Sequence, residues 1–189
     1  MTTETLSQYL AFMFQPNTEV VKQATRVLKQ YFKREQALEQ LLILMASSPD
    51  QNIRQVSCVY LRKIITNLWL KLPAGDQQQT KNLLLTRFQQ EPVFLIKKNI
   101  ADVIGQLGKI LIPNKEWNEL FLFIFQFTQS ESLQEKEHGM ILLSVIIEYF
   151  SASEINQYYA QLHPIIITYL QSGEQSLKRL AVLTVNNLT

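Results

Sequence analysis

Apolar residues return every three or four positions along almost the whole chain, and almost no stretch alternates with period two. That pattern predicts helices and disfavours strands. The longest periodic run is 52–69. In it Ile53, Val56, Tyr60, Ile64 and Leu68 share one face of a single helix. Ser57 sits where a neighbouring helix would need to come close. Asp50, after Ser47-Ser48-Pro49, is placed to cap the first free amides. Leu72-Pro73-Ala74-Gly75-Asp76 ends the run, because proline lacks the amide proton a helix interior needs.

Three helices precede it. The first covers 5–14, with Leu6, Leu10, Met13 and Phe14 inward. Pro16 and Asn17 separate it from a second over 19–32, whose face is Val20, Ala24, Val27, Leu28 and Tyr31. The third, 35–46, shows Leu38, Leu41, Leu42 and Met45. A fifth begins near 76 and carries Leu83, Leu84, Leu85 and Phe88 until Glu91-Pro92 closes it. The sixth spans 93–112. Its Gly105 and Gly108 each cost helix propensity, roughly 1 kcal/mol against Ala, which makes sense where another helix packs tightly. The seventh, 116–128, is very apolar. Ser132 and Glu135 have capping-box spacing and open an eighth that runs to 150. A ninth covers 154–170, with Pro164 expected to kink or split it, and a tenth covers 175–188.

The helices pair short-then-long, five times. The longer members align by a small residue: Ala24, Ser57, Ala101, Gly139, Ala181. The intervals, roughly 33, 44, 38 and 42 residues, fall in the range of HEAT and armadillo-type helix pairs. One such pair cannot bury its apolar face alone, but stacked neighbours share a core. The expected fold is all-α: a right-handed α-solenoid of about five HEAT repeats. Residues 1–189 read as one array, and a last helix still apolar at Val185 and Leu188 reads as part of a longer solenoid.

Composition agrees. Hydrophobic residues are 47% and charged residues 18%, enough to fill a core. A formal charge of +2 is too small to dictate a polyanionic partner. The single Cys58 excludes an internal disulfide and fits a reducing compartment. The first residues lack a basic region before an apolar run, so no signal peptide is expected. The densest apolar stretches, 120–125 and 140–147, fall short of the ~20 residues of a membrane span. Asn187-Leu188-Thr189 matches a glycosylation acceptor and is read as a chance match.

Candidate chemistry is sparse. His138 and His163 have no metal-ligand spacing to each other or to Cys58. Cys58 would need a base brought from elsewhere to act as a nucleophile, and reads as a buried helix-face cysteine. Gly105-Gln106-Leu107-Gly108 lies inside a helix and lacks the lysine of a phosphate loop. The expectation is a binding protein with no catalytic residue, metal or cofactor. Its bases gather on the longer helices, among them Lys22, Arg54, Arg62, Lys63, Lys97, Lys98, Lys136 and Lys178, while much of the acid falls on the shorter ones. That suits an acidic protein partner, or simply a solvated face. A nucleic acid is disfavoured, because aromatics are not interleaved with the bases. Asp102 is expected to pair with a neighbouring cation. Tyr158, Tyr159, Ile166 and Tyr169 are mostly core, with an exposed subset able to form a groove for aromatic peptides.

Val59-Tyr60-Leu61-Arg62-Lys63-Ile64-Ile65, followed by Trp69 and Leu72-Pro73, resembles the second HEAT repeat of importin-β-type nuclear transport receptors. Val21-Lys22-Gln23-Ala24, with Leu28 and Tyr31, resembles the first repeat. The segment 96–104, followed by Trp117, resembles the third and the start of the fourth. The branch it most resembles imports histones and ribosomal proteins. The resemblance implies binding of the GTP form of the small GTPase Ran on inner helices, with Leu61, Arg62, Lys63, Asn67, Lys97 and Asn99 the matched positions. It implies Phe-Gly nucleoporin binding at outer helices, with Tyr158, Tyr159 and Ile166 as candidates, and basic protein cargo for a full-length receptor. It also implies residence in cytoplasm, nucleus and nuclear pores, and no membrane contact. The alternative is a HEAT scaffold or regulatory subunit outside nuclear transport.

Overall fold

The computed structural model describes residues 1–188; Thr189, the threonine of the glycosylation match, lies outside the described residues. Among the described residues there are ten α-helices and no strand. They are α1 Thr3–Phe12, α2 Thr18–Tyr31, α3 Gln36–Ser47, α4 Gln51–Trp69, α5 Ala74–Gln90, α6 Phe94–Leu111, α7 Asn118–Thr128, α8 Leu133–Ile146, α9 Ala152–Leu170 and α10 Gln175–Asn186, with a 3₁₀ turn Ile147–Tyr149 after α8. No described helix is long and apolar enough to cross a membrane. The chain forms two compact units, Met1–Val103 and the residues from Ile104 onward.

In the first unit α1 packs on α2, α3 and α4, and α3 packs on α4 and α5. Leu6, Leu10, Leu28, Leu38, Leu41, Met45, Ile65 and Trp69 are sealed from solvent. The helices start where side chains can satisfy orphan amides. Asn17 Oδ1 accepts from the Glu19 amide at 3.0 Å, and Asp50 Oδ1 from the Asn52 amide at 2.8 Å. In α4 the buried side is Ile53, Ser57, Leu61, Ile64 and Leu68, flanked by Cys58 and Ile65. Val56 and Tyr60, expected on the core face, are half-buried. The face is turned by about one residue from the expected one, toward the small Ser57. Phe14 is also not core: α1 ends at Phe12, and Phe14, past its end, is 54% exposed.

A buried ion cluster ties the turns of this unit together. Glu91, in the α5–α6 turn, has a carboxylate with no exposed surface. Arg54 of α4 grips it with two bonds, Nε to Oε2 at 3.1 Å and Nη2 to Oε1 at 3.0 Å. Arg87 approaches Oε2 at 3.5 Å, and the Val93 amide donates to Oε1 at 3.2 Å. Arg54 Nη1 also donates to the Ser48 carbonyl at 3.0 Å, in the α3–α4 turn. The sequence reading had placed Arg54 among the face cations; it is a structural clamp instead.

In the second unit α7 packs on α8, and α10 packs on α8 and α9, around Trp117, Leu120, Ile124, Met140, Leu142 and Ile146. The small residue in α8 has a hard steric reason. A Cβ on Gly139 would lie 2.8 Å from the Thr128 backbone nitrogen and 3.1 Å from the Ile124 carbonyl oxygen. Gly105 is similar: an added Cβ would lie 2.3 Å from a Val145 methyl. Pro164 does not split α9. Ala160, whose carbonyl loses its helical donor there, is an exposed residue. At Ser132 only half of the expected capping box forms. Its Oγ accepts from the Glu135 amide at 3.4 Å, but the Glu135 carboxylate takes the Ser130 hydroxyl at 2.5 Å. The complete box is at the start of α9, where Ser151 and Glu154 cap each other reciprocally.

Two expectations for stability follow from these contacts. Gly139→Ala should lower the unfolding free energy by about 2 kcal/mol, since overpacking against backbone outweighs the gain in helix propensity. Gly75→Ala in α5, with nothing within 4 Å of the new methyl, should be neutral or stabilising by less than about 1 kcal/mol. Urea denaturation of both variants checks the opposite signs. In the same assay Glu91→Ala should cost about 3–5 kcal/mol, because Arg54 is left buried and unpaired, and Arg54→Met added to it should restore part of the loss.

Candidate partner-binding surfaces

The longer helix α4 carries apolar residues on most of its circumference, so its outward stripe is narrow. Arg62, Lys63 and Asn67 occupy it, Lys63 and Asn67 four positions apart and Arg62 beside them, and all three are exposed. Arg62 Nη1 meets Asp102 Oδ2 of α6 at 3.0 Å, with the side chains 45% and 38% exposed. The expected pairing of Asp102 with a cation is therefore present. Lys63 Nζ lies 5.4 Å from the centre of the Tyr60 ring, and Tyr60 packs on Phe32 with ring centres 4.4 Å apart. The half-buried tyrosine thus forms a shelf under the lysine. Burial also raises the Tyr60 hydroxyl above its ordinary pKa.

The other matched positions do not share this surface. Leu61 is fully buried, on the core side of α4, and has no area to offer a partner. Lys97 is buried as well: its Nζ donates to the Gln89 carbonyl at 3.3 Å and lies 5.8 Å from the Phe88 ring. Its charge is used inside the unit, at the end of α5. Asn99 is half-buried, and its Nδ2 is enclosed without a hydrogen-bond partner. Of the six, the structure groups Arg62, Lys63 and Asn67 in the open, sets Asn99 at the margin, and withdraws Leu61 and Lys97.

The aromatic candidates in the second unit also divide. Tyr158 stacks on Phe121 at 4.8 Å and 18°, close to Phe125 and Phe150, and belongs to that half-buried cluster. Tyr159 is 56% exposed and leans on His163. Tyr159 and Ile166 of α9 line an apolar groove of about 210 Å³, closed on the other side by Val185 and Leu188. Tyr169 is core, its hydroxyl donating to the Thr128 carbonyl.

Bond-breaking chemistry finds little to work with. Cys58 is sealed, and burial together with the nearby Glu91 carboxylate pushes its thiol up to about 12. His138 is buried against Phe127, and His163 lies exposed on a different helix. Among the described residues no three His, Cys, Asp or Glu are grouped to hold a metal ion. The residues that sequence reasoning missed are Arg54 and Glu91. They lie 37 positions apart, in segments that only the fold brings together.

Residues 24–106 match the family described as importin-beta N-terminal domain, and residues 93–188 match the family described as IPO5-like, TPR repeats. Importin-4 of Mus musculus is 28% identical over 165 residues, 85% of this chain and 14% of that protein. Probable importin subunit beta-4 of Schizosaccharomyces pombe is 29% identical over 144 residues, 76% of this chain and again 14% of the relative. The chain thus spans about a seventh of the length of these curated relatives. The crystal structure of Kap121p superposes with a TM-score of 0.79 at 21% identity, over 98% of this chain and 18% of that one. Kap95p has been solved with RanGDP, whose switch loops adopt the GTP-bound conformation, and with Nup1. Both superpose with a TM-score of 0.82 at 16% identity, over 100% and 99% of this chain and 24% of Kap95p. At these identities the likeness speaks for the fold, that of the karyopherin helical solenoids.

The state of Cys58 has a measurable consequence. A thiol whose folded pKa is raised from 9.0 to about 12 keeps its proton in the native chain while the unfolded chain loses it, so native stability falls as pH rises through that window. Tyr31, Tyr60 and Tyr169, each raised above 10.0 by desolvation, add to the loss at higher pH. Denaturation at a series of alkaline pH values should show the decline beginning near 9, and Cys58→Ala should delay its onset. Iodoacetamide at pH 8 should leave Cys58 of the native chain unlabelled and label it in urea.

Proposed function

Because the chain belongs to the importin-β family of nuclear transport receptors, we propose that its first unit docks the GTP form of the small GTPase Ran. The observation that carries this reading is the open stripe Arg62, Lys63 and Asn67 on α4, with Arg62 held out by Asp102. A cationic patch on a rigid helix suits an acidic protein surface, where it speeds encounter and fixes register. The activity is binding, with no bond chemistry. GTP-loaded Ran favours the receptor conformation that releases cargo, and by linkage cargo and Ran lower each other's affinity by the same factor. That Kap95p acts on the switch loops of Ran and is solved with Nup1 supports both partners for the family.

The groove between α9 and α10 supports a second contact of the same receptor. Tyr159 and Ile166 offer an apolar slot into which the ring of a Phe-Gly nucleoporin segment fits. Tyr158, stacked on Phe121, does not line this groove. Basic cargo such as histones or ribosomal proteins, and shuttling between cytoplasm and nucleus through the pores, belong to the full-length receptor in this proposal.

The test is titration of the chain with Ran loaded with a non-hydrolysable GTP analogue, and separately with GDP. The GTP form should bind more tightly. Arg62→Glu with Lys63→Glu should weaken that binding about tenfold or more, the size expected when rim charges are reversed, while circular dichroism stays unchanged. Unchanged affinity in the double variant would remove the site assignment. Equal affinity for both nucleotide states would remove the Ran reading.

A further inference from the structure

An open cavity of the first unit lies away from α4's cationic stripe, between α3 and the start of α5. It measures about 600 Å³, within the range of about 300–1,000 Å³ of clefts that hold a ligand. Leu42, Ile43, Leu72 and Leu83 give it apolar walls, and Ile43 is 43% exposed despite its size. Among the charged lining residues acid predominates. Glu35, Glu39 and Asp76 all reach it, against one cation, Lys71. All three carboxylates are exposed, and none forms an ion pair among the described residues. Glu39 and Asp76 sit in first turns of α3 and α5, where a carboxylate favours the helix dipole. That accounts for an acid on each helix. It does not account for an open apolar cleft between them.

We infer that this groove is a docking site for a short protein segment in which an aliphatic or aromatic side chain is flanked by lysines or arginines. The apolar walls take the central side chain, and Glu35, Glu39 and Asp76 meet the flanking cations. The chain as a whole carries +2, so the negative rim runs against the chain's overall sign. It selects a partner of opposite sign to the one suited to Arg62 and Lys63. The site stands independently of the Ran reading, since it shares no residue with it.

The test uses the 189-residue chain and three fluorescein-labelled nonapeptides. One has a central Phe between Lys and Arg residues, one has Glu and Asp in place of the bases, and one keeps the bases but has Ser in place of Phe. In anisotropy titrations the basic Phe peptide should bind, more weakly as salt rises, and each of the others at least about tenfold more weakly. Glu39→Lys with Asp76→Lys should abolish the preference for the basic peptide, and Ile43→Ser should weaken its binding. The neutral pair Glu39→Gln with Asp76→Asn gives the same readout if the reversed pair unfolds. Binding of GTP-loaded Ran should be unchanged in all of these variants, and Arg62→Glu with Lys63→Glu should leave peptide binding intact, so failure at one surface is distinguished from failure at the other. Equal binding of the acidic peptide or of an uncharged Phe-Gly peptide would overturn the proposal, as would no binding. So would a chain that sediments as a dimer dissolved by Ile43→Ser, which would make a second copy the occupant.

Discussion

The first unit depends on one buried carboxylate. Glu91 has no exposed surface, and an ion in that position without partners would cost several kcal/mol. The fold answers with two bonds from Arg54, a second cation in Arg87, and the Val93 amide. Each partner comes from a different place: the start of α4, the end of α5, the start of α6. Arg54 extends the tie to the α3–α4 turn through the Ser48 carbonyl. The orientation of α4 follows from this clamp at its first turn. So does the setting of α6, which brings Asp102 to Arg62 two turns further along. The cationic stripe is open because the clamp and the core fix the opposite side of the same helix.

How far the sequence speaks can be judged on α4. Its existence, its cap at Asp50 and its end at Leu72-Pro73 are local facts, and local rules read them. Its face is not local. Ile53, Val56, Tyr60, Ile64 and Leu68 make one acceptable stripe; Ile53, Ser57, Leu61, Ile64 and Leu68 make another about one residue round. Only the packing of α1 and α3 selects the second, and Leu61 goes inside with it. Ser57 was the deciding signal, since a small residue belongs where helices approach most closely. Lys97 shows the same limit for charge. Its neighbours in sequence are polar and apolar in helical alternation, but its fate is set by the Gln89 carbonyl from another helix. Ser132 and Ser151 carry the same motif, yet only the second closes, because Ser130 competes for Glu135. Spacing states which bonds are available; neighbours decide which form.

The glycine at 139 was the most legible packing feature. A residue with no side chain inside a strong helix needs a reason, and the reason is Thr128 and Ile124 backbone too close to admit a Cβ. Contacts of that kind do not relax, because backbone cannot rotate out of the way as a side chain can. The α7–α8 pair is therefore held at one spacing, and the aromatic cluster of Phe121, Phe150 and Tyr158 is built against it. Tyr158 was read as a surface candidate and belongs to that cluster, while Tyr159, one position on, faces solvent.

In the proposed reading function rests on surfaces, and a surface charge by itself is worth about 1 kcal/mol or less. Arg62 and Lys63 divide the labour on that scale. Asp102 offsets much of the field of Arg62 but holds its guanidinium in one direction, so less side-chain freedom is lost when a partner accepts from its remaining donors. Lys63 is not neutralised. In the proposed docking Lys63, resting over Tyr60, supplies the long-range attraction. There Arg62 contributes geometry and Lys63 contributes field. A partner that read only net charge would depend on Lys63; a partner that docks in one register depends on both.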